Sequence, residues 1–261
     1  MESKIVPTIW PKGKELPPPR ESIAEERLYR KQRLAAACRI FGKLGFDMGG
    51  AGHITVRDPG DPTHFWVNPY TVPFGHITVS SLIMVNHEGR RVEGEGQLNR
   101  AAFAIHARLH EARPDVLAAA HSHSIHGKTW STLGRTLDPL TQDACAFYQD
   151  HRVFSAFSGV VYDTDEGDRI AEALGDGKAV ILQNHGLLTV GGSIESAVWR
   201  YIGMENAAQV QLAAEAVGTP IPIPHDVAIK TRGQIGSEIA GIYGFKPYWD
   251  MVIRDEPDLF D

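Results

Sequence analysis

The segment Leu117–Ala118–Ala119–Ala120–His121–Ser122–His123–Ser124 constrains this chain more than any other. It is a short apolar run ending in His-x-His, set off by the turn residues Arg113–Pro114–Asp115. In a β-strand, residues i and i+2 share a face, so His121 and His123 would project two imidazoles side by side. Downstream, Ala179–Val180–Ile181–Leu182 has the continuous apolar pattern of a buried strand and runs into a turn at Asn184–His185–Gly186. A histidine at that strand end can converge on the other two. Three neutral imidazoles suit a divalent transition metal, and an open fourth position makes such a site catalytic. The competing reading is three polar residues at strand ends with no ligand in common. The second strand-end histidine favours the metal.

Composition narrows the function classes. Lys and Arg total 26 against 32 Asp and Glu, a net charge of −6 that gives nucleic acid nothing to bind. No apolar run approaches a membrane span, and the N-terminus lacks a signal-peptide pattern. Cys38 and Cys145 are too few for a disulfide framework and form no Cys-x-x-Cys pair. The reading is a soluble, cytoplasmic protein that meets neither nucleic acid nor membrane. Histidine is the compositional oddity: four of the twelve (His106, His110, His121 and His123) crowd the stretch that ends at the metal motif.

Residues 1–20 are Pro-rich and aperiodic, and read as an extended arm with Ile9 and Trp10 as docking residues. The remainder, 21–261, reads as one mixed α and β domain with helices flanking a central sheet. Ser22 and Glu25 fit a capping box ahead of an apolar helical stripe that ends at Gly42 and Gly45. Gly49–Gly50–Ala51–Gly52 is a glycine-rich turn that runs into a strand at His53–Ile54–Thr55–Val56. Further strands are predicted at Phe65–Val67, Leu82–Val85, Arg91–Glu93 and Val153–Phe157. Helices are predicted over Asn99–Glu111, Ile125–Leu133, Glu166–Leu174, from Ser193 to near Gly218, and over Val227–Tyr243, with an aromatic tail behind the last. His106 and His110 share a helix face at i, i+4, a zinc-like spacing, but with no third ligand they read as surface or interface residues.

In order and spacing, the chain from about Glu25 to Gly218 resembles the class II aldolase/adducin family. The matching pieces are Gly52–His53–Ile54–Thr55, Arg113–Pro114–Asp115, His121–Ser122–His123 and Asn184–His185–Gly186 with the helix that follows. Members of that family include fuculose-phosphate aldolase and ribulose-phosphate epimerase. The resemblance implies a three-layer α/β/α sandwich around a mainly antiparallel nine-stranded sheet. It also implies a Zn²⁺-type ion, with Mn or Fe as alternatives, on His121, His123 and His185. A homotetramer with sites at subunit interfaces is implied as well.

The chain also departs from the family pattern. The sugar-phosphate aldolases carry Ser-Ser-Glu on the helix before the His-x-His strand; the corresponding positions here are Arg100, Ala101 and Ala102. Alanine moves no proton, and the phosphate-binding serines are gone. His53 replaces the family's usual Asn, and the aldolase tyrosine aligns near Gln142. Arg100 offers a planar fork that matches a carboxylate. The leading expectation is therefore a metal-dependent lyase, cleaving by retro-aldol reaction or decarboxylation a small hydroxy- or oxo-carboxylate through a metal-stabilised enolate. Tyr148, His126 and His151 are the candidate acids, and Arg100, His53 and Gly52 the candidate substrate contacts. Glu93 and Glu95 read as solvated loop carboxylates rather than ligands. Tyr248 and Trp249 in the tail are candidates to cover a neighbouring subunit's site.

Two alternatives stand beside this. Members from aminocoumarin antibiotic pathways, similar to this branch, resemble non-haem Fe(II) oxygenases that oxidatively decarboxylate a prenylated aromatic acid, and the same three histidines accept Fe(II). Adducin heads keep the fold without the metal ligands, which gives a non-enzymatic interaction module as the third reading.

Overall fold

A computed structural model describes residues 16–160 and 164–261. The docking residues Ile9 and Trp10 of the expected arm lie outside them. Helix α1 (Ile23–Lys43) opens the fold, with the Ser22 hydroxyl accepting from the Glu25 amide as its cap. Four strands follow: β1 (His53–Arg57), β2 (His64–Val67), β3 (Ile83–Asn86) and β4 (Arg91–Glu93). Helix α2 (Arg100–Ala112), capped by Asn99, leads to β5 (Ala118–Ser122) and the short helix α3 (Ile125–Ser131). Next come β6 (His151–Phe154), α4 (Thr164–Leu174), β7 (Ala179–Leu182) and β8 (Gly186–Gly191). Three helices close the chain: α5 (Ile194–Val217), α6 (His225–Ile235) and α7 (Glu238–Asp255).

The eight strands form one sheet in the order β4-β3-β2-β1-β5-β8-β7-β6, antiparallel throughout except for the β6–β7 pair. Helices cover both faces. Ile54, Val56, Ala118 and Ala120 point toward α1 and α5 in the larger core, while Ala119 packs with Ala104, Ile105 and Leu109 of α2 and Ile170 of α4. This is the expected α/β/α layering. The alanine run of β5 goes against strand propensity, and packing explains it: at the centre of a sheet buried on both sides, small residues let helices sit close. All four residues of β7 are buried, which accounts for its unbroken apolar sequence.

Three expectations are corrected. Among the described residues the sheet has eight strands, not nine; the glycine turn before β1 holds only an isolated bridge between Met48 and Ala51. The single C-terminal helix is two, because the Ser237 hydroxyl accepts from the Ala240 amide and starts α7 afresh. The tail aromatics are helical, and Trp249 is buried in this chain's own core beneath the Arg33 guanidinium, 3.4 Å from its ring centre. It is not free to cover a neighbour.

Two backbone positions aim the third histidine. Asn184 takes a left-handed conformation (φ 59), which Asn tolerates better than most residues, and it turns the chain sharply between β7 and β8. At Gly186 an added Cβ would lie 2.9 Å from the Ser122 carbonyl oxygen, so only glycine lets β8 approach β5 this closely. Gly186→Ala is expected to lower stability by about 1–3 kcal/mol in chemical denaturation.

Candidate metal centre

The β1–β5 register pairs His53 with His121, and the β5–β8 register pairs His121 with Leu188. His121 is the penultimate residue of β5 and lies on the α2 face, His123 lies just past the strand end, and the Asn184 turn brings His185 back to both. The three rings are packed edge to face, with centroids 4.7–5.2 Å apart. One nitrogen from each can be chosen so that all three lie within 4.8 Å of one another.

The donor set fits a divalent ion. His121 Nδ1 donates to the Leu187 carbonyl at 2.8 Å, which leaves Nε2 bare as a ligand. His123 Nε2 and His185 Nε2 are 3.1 Å apart. Two nitrogens bound tetrahedrally to one zinc at the usual bond length are roughly 3.3 Å apart. Burial keeps the rings unprotonated: desolvation pushes His185 down to about 4, and it depresses His121 and His123 as well. Neutral imidazole is the form that binds metal.

A cavity of about 720 Å³ opens over the triad, in the size range of a small-molecule site. Gly52, His53 and Arg100, the three candidate substrate contacts, are in its wall. Gly52 adopts a positive φ of 106, and a Cβ there would press on the Phe74 ring. Lys128 and Tyr70, which sequence reasoning missed, are also in the wall. Among the described residues no Asp or Glu lines the cavity, and neither Arg100 nor Lys128 is in an ion pair. Met48, Tyr70, Phe157 and Val160 form a partly exposed apolar rim. A second cavity, about 610 Å³ near Pro17–Ser22 and Glu195, contains none of the histidines.

None of the three candidate acids reaches the metal-side cavity within the chain. His151 is buried with both ring nitrogens committed: Nδ1 donates to the Phe147 carbonyl at 2.7 Å, and Nε2 accepts from the Leu137 amide at 2.8 Å. His126 caps its own helix region through Glu205, with Nδ1 3.0 Å from Oε1. Tyr148 places its hydroxyl 3.1 Å from His225 Nδ1. Gln142, near the aldolase tyrosine position, is exposed. Glu93 and Glu95 are exposed and outside the cavity wall.

Glu205 is the residue that the sequence concealed. From the buried face of α5 it accepts the Ser124 hydroxyl (2.5 Å) and the amides of His126 (2.9 Å) and Gly127 (2.6 Å). It thus closes the first turn of α3, where Ser124 makes no side-chain cap, and anchors the chain immediately after His123. An acidic residue on a buried helical stripe, four positions after Tyr201, was the available signal.

A model of the class II aldolase and adducin N-terminal domain matches residues 32–212. The chain belongs to this family. It is 45% identical to the decarboxylase NovR of Streptomyces niveus, over 93% of this chain and 91% of the relative. It is 44% identical, over 93% and 88%, to a Streptomyces roseochromogenus subsp. oscitans protein named 4-hydroxy-3-prenylphenylpyruvate oxygenase/4-hydroxy-3-prenylbenzoate synthase. A solved structure named L-fuculose 1-phosphate aldolase, from Glaciozyma antarctica PI12, superposes with a TM-score of 0.88 at 44% identity, covering 94% of this chain and 96% of that one. Relatives at nearly equal identity thus have lyase and oxygenase names, so identity alone does not select the reaction.

His121→Ala and His185→Ala are each expected to abolish binding of one divalent ion per chain, read by metal content after reconstitution. Affinity should be level from neutral pH to about 5 and fall as pH drops through about 4, where protons begin to displace the metal from His185.

Proposed function

We propose that this chain is a metal-dependent oxidative decarboxylase of an aryl-bearing 2-oxo or 2-hydroxy acid, with Fe(II) on His121, His123 and His185. The observation that carries the reading is the combination in the cavity wall. Three neutral imidazoles converge where Arg100 and Lys128 supply positive charge, no acidic side chain intervenes among the described residues, and the rim is apolar. That wall suits a carboxylate joined to an aromatic body. The two Streptomyces relatives, a decarboxylase and an arylpyruvate oxygenase by name, support the same class.

The aldol-type alternative lacks its acid/base. At the family's Ser-Ser-Glu positions stand Arg100, Ala101 and Ala102, and among the described residues the cavity wall offers no carboxylate in their place. Loss of CO₂ breaks a carbon–carbon bond without first deprotonating a hydroxyl, so it demands less of the protein. The oxygenase name of one relative supports the oxidative alternative over the plain lyase. Bound iron would supply a Lewis acid with open positions for substrate and O₂. For an arylpyruvate one O₂ balances the reaction: C1 leaves as CO₂ with its own two oxygens, and both atoms of O₂ enter the remaining chain, one in the new carboxylate and one as a benzylic hydroxyl.

The protein's own groups have separable tasks. The Arg100 guanidinium holds the carboxylate, with the Lys128 ammonium as a second positive contact. Met48, Phe157 and Val160 exclude water around the aromatic body. Tyr70 and Lys128 stand at the cavity as the proton carriers, in place of Tyr148, His126 and His151.

The test compares Fe(II)- and Zn(II)-reconstituted protein with 4-hydroxyphenylpyruvate and mandelate as probes. Oxygen uptake matched to CO₂ release, with iron only, is the expected result. Release of CO₂ or an aldehyde with zinc and no oxygen uptake would restore the simple lyase. A chain that takes up no metal and turns over neither probe would leave the interaction module. Arg100→Ala is expected to raise KM for the acid about tenfold or more while changing kcat less.

A further inference from the structure

His106 and His110, read from sequence as surface or interface residues, are buried within the chain at 0% and 1% exposure. They lie on the face of α2 that covers β1, and Thr55 sits between them. His106 Nδ1 is 2.7 Å from Thr55 Oγ1, and His110 Nε2 is 3.0 Å from the same oxygen. At the other end, His106 Nε2 is 2.9 Å from His53 Nδ1. His53 is itself buried, lines the cavity, and has its ring centre 4.9 Å from that of His121. A line of hydrogen bonds therefore runs from the interior of the α2 layer to the wall of the metal-side cavity.

A neutral imidazole has one N–H, so such a line can be protonated in only two ways, one the reverse of the other. All three rings are buried, which favours neutral imidazole, and burial holds His110 down at about 3. The inner end decides between the two. His110 Nδ1 lies 3.4 Å from the Val116 carbonyl oxygen, which can only accept. The His110 proton is therefore on Nδ1, and its Nε2 accepts from the Thr55 hydroxyl. Thr55 Oγ1 in turn accepts from His106 Nδ1–H, and His106 Nε2 accepts from His53 Nδ1–H. His53 Nε2 remains without a proton, and His53 is the member of the line that reaches the cavity wall.

We propose that Val116, His110, Thr55 and His106 lock the tautomer of His53 so that its Nε2 is a fixed hydrogen-bond acceptor for an O–H group of the substrate, the 2-hydroxyl or enol of the acid. This rests on the proposed reading of the cavity as a site for 2-oxo and 2-hydroxy acids. His53 is then a specificity residue, and Thr55, His106 and His110 are positioning residues that act through it. A fixed acceptor rejects a ligand that cannot donate, because the buried lone pair is left unpaired. No proton needs to travel along the line.

Neutron diffraction from deuterium-exchanged crystals of the zinc-loaded, substrate-free protein tests the lock without reference to turnover. Deuterons on Nδ1 of His110, His106 and His53, with His53 Nε2 bare, are expected; a deuteron on His53 Nε2 would overturn the proposal. The binding arm compares mandelate with its O-methyl ether on zinc-loaded protein. Wild type is expected to favour mandelate about tenfold. Thr55→Val keeps the shape but breaks the line, and should erase most of that preference, whereas Thr55→Ser should retain it. Equal binding of the two acids by wild type, or a preference unchanged in Thr55→Val, would overturn the role given to His53. A chain that binds neither acid but has the stated deuteron pattern would overturn the substrate reading and the acceptor role assigned from it, and leave the lock itself standing.

Discussion

The pairing of His53 with His121 across β1 and β5 is the constraint on which the rest of this site depends. Antiparallel pairing sets cross-strand neighbours side by side on one face of the sheet. A shift of one residue would turn His53, Thr55 and His121 toward α1 and α5, and turn Ile54 and Ala120 toward the cavity. The apolar face holds that register, since Ile54, Val56, Ala118 and Ala120 are all fully buried in the larger core. The polar cluster is therefore placed by the packing of the residues that alternate with it.

Burial then sets the chemistry. A group of imidazoles this close would repel if charged, and desolvation depresses each of them for the same reason that the core excludes water. What remains is a set of lone pairs and N–H groups whose directions are fixed by carbonyls: Leu187 for His121 and Val116 for His110. Positive charge is confined to the exposed side of the cavity, at Arg100 and Lys128. A neutral, metal-ready floor beneath a cationic, apolar rim is the ground for proposing an aromatic acid as substrate.

Much of this was legible in the sequence, where local pattern and tertiary role coincide. The His-x-His motif brought two ligands together at the end of β5, the unbroken Ala179–Leu182 run marked a strand covered on both sides, and Ser193 marked the start of α5. The rest was hidden where a role depends on what packs opposite. An i, i+4 histidine pair looks the same on a surface helix as on one that covers Thr55, so His106 and His110 could not be placed. His151 looked available because sequence does not show the Leu137 amide that occupies its Nε2. Glu205 lay in an otherwise amphipathic helix, about eighty residues from the turn that it holds, and Lys128 became visible only when α3 brought it into the cavity wall with His123. The break between α6 and α7 turned on one cap, Ser237, within a continuously helical pattern.

The most direct test of the account is anomalous X-ray diffraction at the iron edge, from crystals grown anaerobically with Fe(II). One peak per chain is expected, within bonding distance of His121 Nε2, His123 Nε2 and His185 Nε2, with His53 outside the coordination shell. A peak at any other histidine cluster, or a fully loaded crystal with no peak at this triad, would contradict it.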